Sequence, residues 1–195
     1  MASLSDVLST VQNGVVAFNN LTIQMKGSFN NISSQFAALN VTTSNVTLQT
    51  VYAELTTFTS GVTNMAAGVD TIPQNTDGTQ LLTVSITPKL STSKLLIRVM
   101  MPATNSAIVN MWAGLFQDST AAALAATAIG VAVVDTIVPT AFTYQMTSGT
   151  TSSTTFKVRI GNIAGASTWA VNGISSARRL GGSQRVSITV EEIKA

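Results

Sequence analysis

The sequence predicts a mainly β protein with an N-terminal α element: a trimeric coiled-coil stalk followed by an antiparallel, jelly-roll-like β-sandwich. Three observations lead there. The first third carries an apolar heptad repeat, a stretch rich in Gly, Pro, Asn and Asp follows it, and beyond that stretch the apolar period drops to two.

The repeat comes first. Leu4, Leu8, Val11, Val15, Phe18, Met25, Phe29, Ile32, Phe36 and Leu39 recur at alternating spacings of four and three, with Thr22 the single polar lapse. A helix packed on its own domain shows a broad apolar stripe, whereas a strict two-in-seven pattern makes a narrow seam suited to identical neighbours. Residues 1–40 therefore read as a coiled-coil helix. A second block, Leu48, Val51, Leu55, Phe58, Val62 and Met65, keeps the spacing but is out of phase by two residues. The slip falls in Asn40–Thr47, a run of poor helix formers, so a joint is expected there and a second helical segment over 41–67.

Phe29 and Phe36 occupy one core position and Phe18, Ile32 and Leu39 the other, a mixture that disfavours a narrow dimer and favours three strands. The expected trimer seam is Leu8, Val11, Val15, Phe18, Phe29, Ile32, Phe36 and Leu39, continued by Leu48, Val51, Leu55 and Phe58. The abundance of Ser, Thr and Asn, which compete with helical hydrogen bonds, leaves a β-rich stalk as the competing reading.

Residues 68–78 (GVDTIPQNTDG) read as a linker, and 79–195 as the sandwich. Leu82, Val84 and Ile86 alternate with Thr83, Ser85 and Thr87 up to Pro88; Leu95, Ile97, Val99 and Met101 alternate with their neighbours up to Pro102. Further strands are expected at 108–116, 127–134, 142–146, 156–160, 169–171 and 186–190, with 121–128 either a short helix or a loop. Many short, half-polar strands separated by Ser, Thr and Gly argue for an antiparallel sandwich over a parallel sheet with crossover helices.

Composition sets the surface. Only 9% of the 195 residues are charged while 45% are hydrophobic, so uncharged polar residues supply the wet surface and association between copies is expected. Net charge is +2, divided into one base and four acids over 1–88 and nine bases and four acids over 89–195. The only adjacent bases, Arg178 and Arg179, make no basic run, which argues against nucleic-acid binding. The N-terminus shows no basic segment ahead of an apolar core, so synthesis and residence in a cytoplasm before assembly are expected. The longest weakly polar run, 121–134, is too short for membrane insertion. The four Asn-x-Ser/Thr triplets, at Asn20, Asn31, Asn40 and Asn45, then carry no glycosylation meaning.

The chain has no His and no Cys, which removes the usual general base, the Ser-His-Asp relay and thiolate metal sites. Glu191 and Glu192 are adjacent on an expected strand, point to opposite faces and cannot flank one bond; they are expected to be solvated or between subunits. Asp70 and Asp77 belong to a turn that needs Asp and Gly in any case, and the glycines match no phosphate-loop spacing. No catalytic residue, cofactor or metal is expected, and the chain is not expected to be an enzyme. Trp112, Trp169 and Tyr144 could stack on sugar rings, but each lies in an expected strand among apolar neighbours, where rings usually fill the core, and the core reading is favoured. Lys157 and Arg159 alternate with apolar residues and face outward beside Arg185; with Trp169 they are the candidate surface contacts.

TIPQNTDGTQLLTVSITP, KLLIRV, GLFQDSTAAALAATA, TTFKVRIGN and VSITVEEIKA resemble a β-sandwich domain recurrent in phage and prophage structural proteins, and SLSDVLSTVQNGVVAFNNL resembles a short virion-attachment helix. The whole is similar to the fibre, spike and decoration proteins of tailed bacteriophages. That resemblance implies a homotrimer on the virion surface, partnered with capsid, portal or tail proteins. Host surface glycan is a further partner under a receptor-binding reading. Residues 1 to about 40 are expected to dock on the virion and the sandwich to project; the reverse, a capsid cement, would set Lys157, Arg159 and Arg185 against an acidic shell.

Overall fold

The computed structural model describes residues 3–41, 45–65 and 70–195, with 36–41 described as backbone alone. Two compact units divide the chain, Met1–Ser44 and Asn45–Ala195.

The first unit is one helix, α1 (Leu4–Val41), 38 residues long. It starts at a reciprocal cap: Asp6 Oδ2 accepts from the Ser3 N–H at 3.0 Å and the Ser3 hydroxyl at 2.7 Å, and Asp6 N donates back to Ser3 Oγ at 3.3 Å. These bonds, the Ser3 hydroxyl first, hold the Asp6 carboxyl below its usual range, and its charge suits the helix N-terminus. Inside α1, the Thr10, Thr22 and Ser34 hydroxyls donate to carbonyls one turn back, which removes their competition with the backbone.

The second unit is mainly β. Its strands are β1 (Thr47–Leu55), β2 (Thr59–Gly61), β3 (Thr79–Ile86), β4 (Lys94–Asn105), β5 (Met111–Gln117), β6 (Ala125–Ile129), β7 (Val138–Thr147), β8 (Thr154–Asn162), β9 (Trp169–Val171), β10 (Gly173–Ile174), β11 (Ala177–Arg178) and β12 (Val186–Ile193). One sheet runs β1-β12-β4-β9-β2 with β7 on the opposite edge of β4; the other runs β3-β8-β5-β6, and β10-β11 form a small hairpin. Every strand pairing is antiparallel. Leu95, Ile97, Val99 and Met101 of β4 and Val186, Ile188 and Val190 of β12 meet Leu82, Val84 and Ile86 of β3 and Phe156, Val158 and Ile160 of β8 in one core. Period-two alternation puts these residues on one face of each strand, and burying that face closes the sandwich.

All eight strands expected beyond residue 79 are present, although 127–134 contributes only the end of β6, and 121–124 is a loop leading into it. The second helical segment is not found among the described residues 45–65, of which 47–55 and 59–61 are strands. Thr47, Thr50, Val51 and Tyr52 favour extended backbone, and β12 supplies a full partner, from Thr47 opposite Ile193 to Leu55 opposite Val186. Val51 and Leu55 pack with Ala53 against the sandwich core. The described boundary is therefore at residue 45 rather than 79, and Leu48, Val51, Leu55 and Phe58 belong to the sandwich instead of a seam.

The described part of the expected linker, residues 70–78, is a strap over the outer face of the second sheet. Two hydrogen bonds tie it to the 121–123 loop: Asn75 N–H donates to Ala121 O at 2.7 Å, and Ala123 N–H donates to Pro73 O at 2.9 Å. Met65, also on that side, donates its N–H to Asn162 O at 2.9 Å. Gly161 is required there, since a Cβ on it would lie 2.5 Å from Met65 N.

Candidate interaction surfaces

Helix α1 leaves its apolar seam exposed. Phe18 is 70% and Phe29 68% exposed, and Leu8, Val11, Val15 and Ile32 are also open. Phe36 and Leu39 lie outside the residues whose side chains are described. Val7 and Leu21 border the seam and widen it, while Val16 and Ile23, seven residues apart, add a second exposed apolar strip on the other side. The helix has little intrinsic stability, because Gly14 and Gly27 sit in open space at about 1 kcal/mol each relative to Ala, and Ser, Thr and Asn are frequent. A helix of this composition needs packing partners along its apolar face.

The candidate contact residues separate. Lys157 and Arg159 lie on β8, outside the second sheet, and bind neighbouring backbone: Lys157 Nζ donates to Asp118 O at 2.6 Å, Arg159 Nε to Asp77 O at 2.7 Å and Arg159 Nη2 to Gly78 O at 3.0 Å. Arg185 precedes β12, outside the first sheet, and pairs with Glu54 at 3.0 Å. The expectation that the three bases stand together is thus corrected: they occupy outer faces of two different sheets. Trp169 follows its core reading and is corrected as a surface contact, since it is fully buried, with Nε1 donating to Thr63 Oγ1 at 3.2 Å and Gly61 clearing room for its ring. It offers no surface to a sugar.

Glu192 departs most from expectation. Alternation does put it opposite Glu191, but its face is the inner one, and it is fully buried. Its carboxylate accepts from Gln49 Nε2 (2.6 Å), Ser93 Oγ (2.7 Å), Lys89 N (2.9 and 3.0 Å) and Leu90 N (3.0 Å). Burial pushes this carboxyl up, but the hydrogen bonds from Lys89, Ser93, Gln49 and Leu90 together outweigh it and hold it below the usual carboxylate range. Glu192 is a clamp on the β3–β4 turn. Glu191 faces outward and pairs with Arg98.

On the outer face of the first sheet, Tyr52 donates its hydroxyl to Glu54 Oε2 at 2.6 Å, beside Arg185. That bond holds the Tyr52 hydroxyl above and the Glu54 carboxyl below their ordinary ranges. No group of three or more His, Cys, Asp or Glu positioned for a metal ion occurs among the described residues. None of the described helices is long and apolar enough to cross a membrane.

No protein-family model matches the chain, and no curated protein does. Among solved structures it is similar to the insecticidal delta-endotoxin Cry8Ea1 of Bacillus thuringiensis (TM-score 0.34, 10% identity, 73% of this chain and 20% of that one). It is similar also to the Gt strain of infectious bursal disease virus (TM-score 0.39, 14% identity, 76% and 39%). A third similarity is to the sugar-binding EclA C-terminal domain (TM-score 0.33, 12% identity, 64% and 76%). The chain spans well under half the length of the first two. At TM-scores below 0.5 these likenesses carry no argument about what the chain does.

Proposed function

We propose that the chain is a structural, non-enzymatic protein of a tailed-bacteriophage virion, a homotrimeric fibre, spike or decoration appendage. Its N-terminal helices assemble and dock it, and its sandwich faces outward. The observation that supports this reading is the contrast in apolar surface: the sandwich closes its own core, while α1 presents Phe18, Phe29 and their seam neighbours uncovered. Three copies of α1 in parallel would bury those residues against one another. The second strip, Val16 and Ile23, remains outside such a seam and suits a socket in a capsid, portal or tail protein. The phage assignment itself rests on the sequence resemblance.

A cement orientation is disfavoured, because Lys157 and Arg159 cannot meet one flat shell together with Arg185. The test of assembly is light scattering on purified protein, expected to give three times the 20.2 kDa chain mass; a clean monomer at micromolar concentration rejects the reading. Orientation is tested by reconstruction of the particle, in which the helices should enter the shell or tail and the sandwich project.

A further inference from the structure

We propose that the cleft on the outer face of the second sheet binds an acidic saccharide, its carboxylate on Lys157 and Arg159 and its hydroxyls on the amides and hydroxyl around them. The cleft encloses about 450 Å³ and is lined by Asn75, Gln80, Asp118, Ser119, Lys157 and Arg159. That volume suits one or two sugar rings better than a folded partner.

Its frame is fixed before any ligand arrives. The Asn75 amide donates to Ser119 O at 3.2 Å and Thr120 O at 3.0 Å, joining the 70–78 strap to the 118–120 turn across one end. Lys157 is anchored on the Asp118 carbonyl and Arg159 on those of Asp77 and Gly78. An ammonium and a guanidinium carry more donors than these three carbonyls use, so each cation is oriented with N–H groups to spare. Gln80 stands directly across from Arg159 in the β3–β8 register, on the same face. Anchored side chains lose little further entropy on binding, which is the usual cost of recruiting Lys and Arg.

The charge balance selects the ligand. Two acids are close, but neither carboxylate is ion-paired with the two cations: Asp118 accepts from Thr154 Oγ1 at 2.8 Å and Thr155 N at 2.7 Å, and Asp77 from Gln74 N at 2.8 Å. Their charges offset those of the two bases, so a polyanion gains little and a single oxyanion held at contact distance gains most. Amide and hydroxyl groups supply donors and acceptors together, the complement of sugar hydroxyls. None of the six lining residues is aromatic, so the cleft offers no ring platform for a nucleobase. The site does not need the trimer, because every lining residue belongs to one sandwich.

Titration of the full-length protein with methyl β-D-glucuronide, methyl β-D-glucoside and inorganic phosphate, followed by backbone amide shifts, tests the assignment. Saturable shifts centred on Gln80, Ser119, Lys157 and Arg159 are expected with the glucuronide, and binding of the glucoside should be at least about tenfold weaker. Lys157→Gln should weaken glucuronide binding about fivefold or more, while Arg185→Gln, on the other sheet, should leave it unchanged. Phosphate binding without preference for the glucuronide overturns the saccharide assignment, and the absence of saturable shifts, or equal binding by Lys157→Gln, overturns the site. Light scattering on the same samples reports assembly separately, so failure here is distinguishable from failure of the trimer.

Discussion

The two units of this chain treat the same chemistry in opposite ways. In the sandwich, Leu95, Ile97, Met101, Phe156 and Ile160 are fully buried, each worth about 1.5–3 kcal/mol of removal from water, and the sheets close on themselves. In α1 the residues of equal size, Leu8, Val11, Phe18 and Phe29, lie open. The two sheets of the sandwich cover a common core, whereas the seam side chains described on α1 are exposed. In a chain with 9% charged residues, no excess of surface charge keeps such a helix apart from its copies. Stability of the second unit should be independent of concentration, and that of the first should not be.

The largest effect is expected where that contrast is broken outright. Phe29→Asp places a carboxylate at each equivalent seam position, where three charges cannot be desolvated together. Light scattering should shift from trimer to monomer, and circular dichroism should lose α1 helicity while the β signal of 45–195 stays. A variant that remains trimeric and helical would show that the seam lies elsewhere on the helix.

That same contrast explains what was legible in the residues. The first strands beyond 79 were readable because Leu82–Ile86 and Leu95–Met101 alternate cleanly and end at Pro88 and Pro102, and α1 because its spacing persists through five heptads of sequence. TLQTVYAEL satisfies two periods at once: Leu48, Val51 and Leu55 fit four and three, while Val51, Ala53 and Leu55 fit two. The decision is made by β12, which pairs along its whole length from the far end of the chain, and no local pattern reports such a partner. The competing β-rich reading of the early chain therefore describes 47–61, and the helical one describes 4–41. Lys157 and Arg159 were recognisable as outward residues on β8. Their separation from Arg185, and the strap that turns them into cleft walls, depend on strand order. Glu192 differs from expectation for a related reason, since alternation gives a residue's face but not what covers it; Trp169 follows its core reading and loses only the surface-contact one.

An intermediate effect is expected inside the self-sufficient unit. Glu192→Gln keeps the shape of the clamp but brings an NH2 group to a site built entirely of donors, from Gln49, Lys89, Leu90 and Ser93. About 2–3 kcal/mol should be lost at pH 7, lowering Tm by about 6 °C for a unit of this size. The folded-state pKa of Glu192 lies below its unfolded value. Its contribution is thus fully present above the unfolded pKa, about 4.3, and is lost as pH falls through the folded value. Parallel melts of both proteins should therefore converge below about pH 4; a constant gap down to pH 2 would place the stabilisation in shape rather than charge.

The smallest effect belongs to the outer face of the first sheet, where charge is arranged without burial. Arg185 and Glu54 are a surface pair whose side chains are 50% and 34% exposed, and such pairs contribute little to stability. Arg185→Gln should leave Tm and mass unchanged, yet it should still be visible at Tyr52. The hydrogen bond to Glu54 raises the Tyr52 hydroxyl pKa by stabilising the protonated phenol, and the Arg185 charge opposes that rise. Removing the base should therefore move Tyr52 further up, whereas Glu54→Gln should bring it down towards an ordinary tyrosine. The chain has only two tyrosines, so ultraviolet pH titration of each variant, with Tyr52→Phe to assign the transition, resolves the direction. Shifts of opposite sign with unchanged melting would show that this face carries local electrostatics without structural weight; a drop in Tm with Arg185→Gln would make the pair part of the fold.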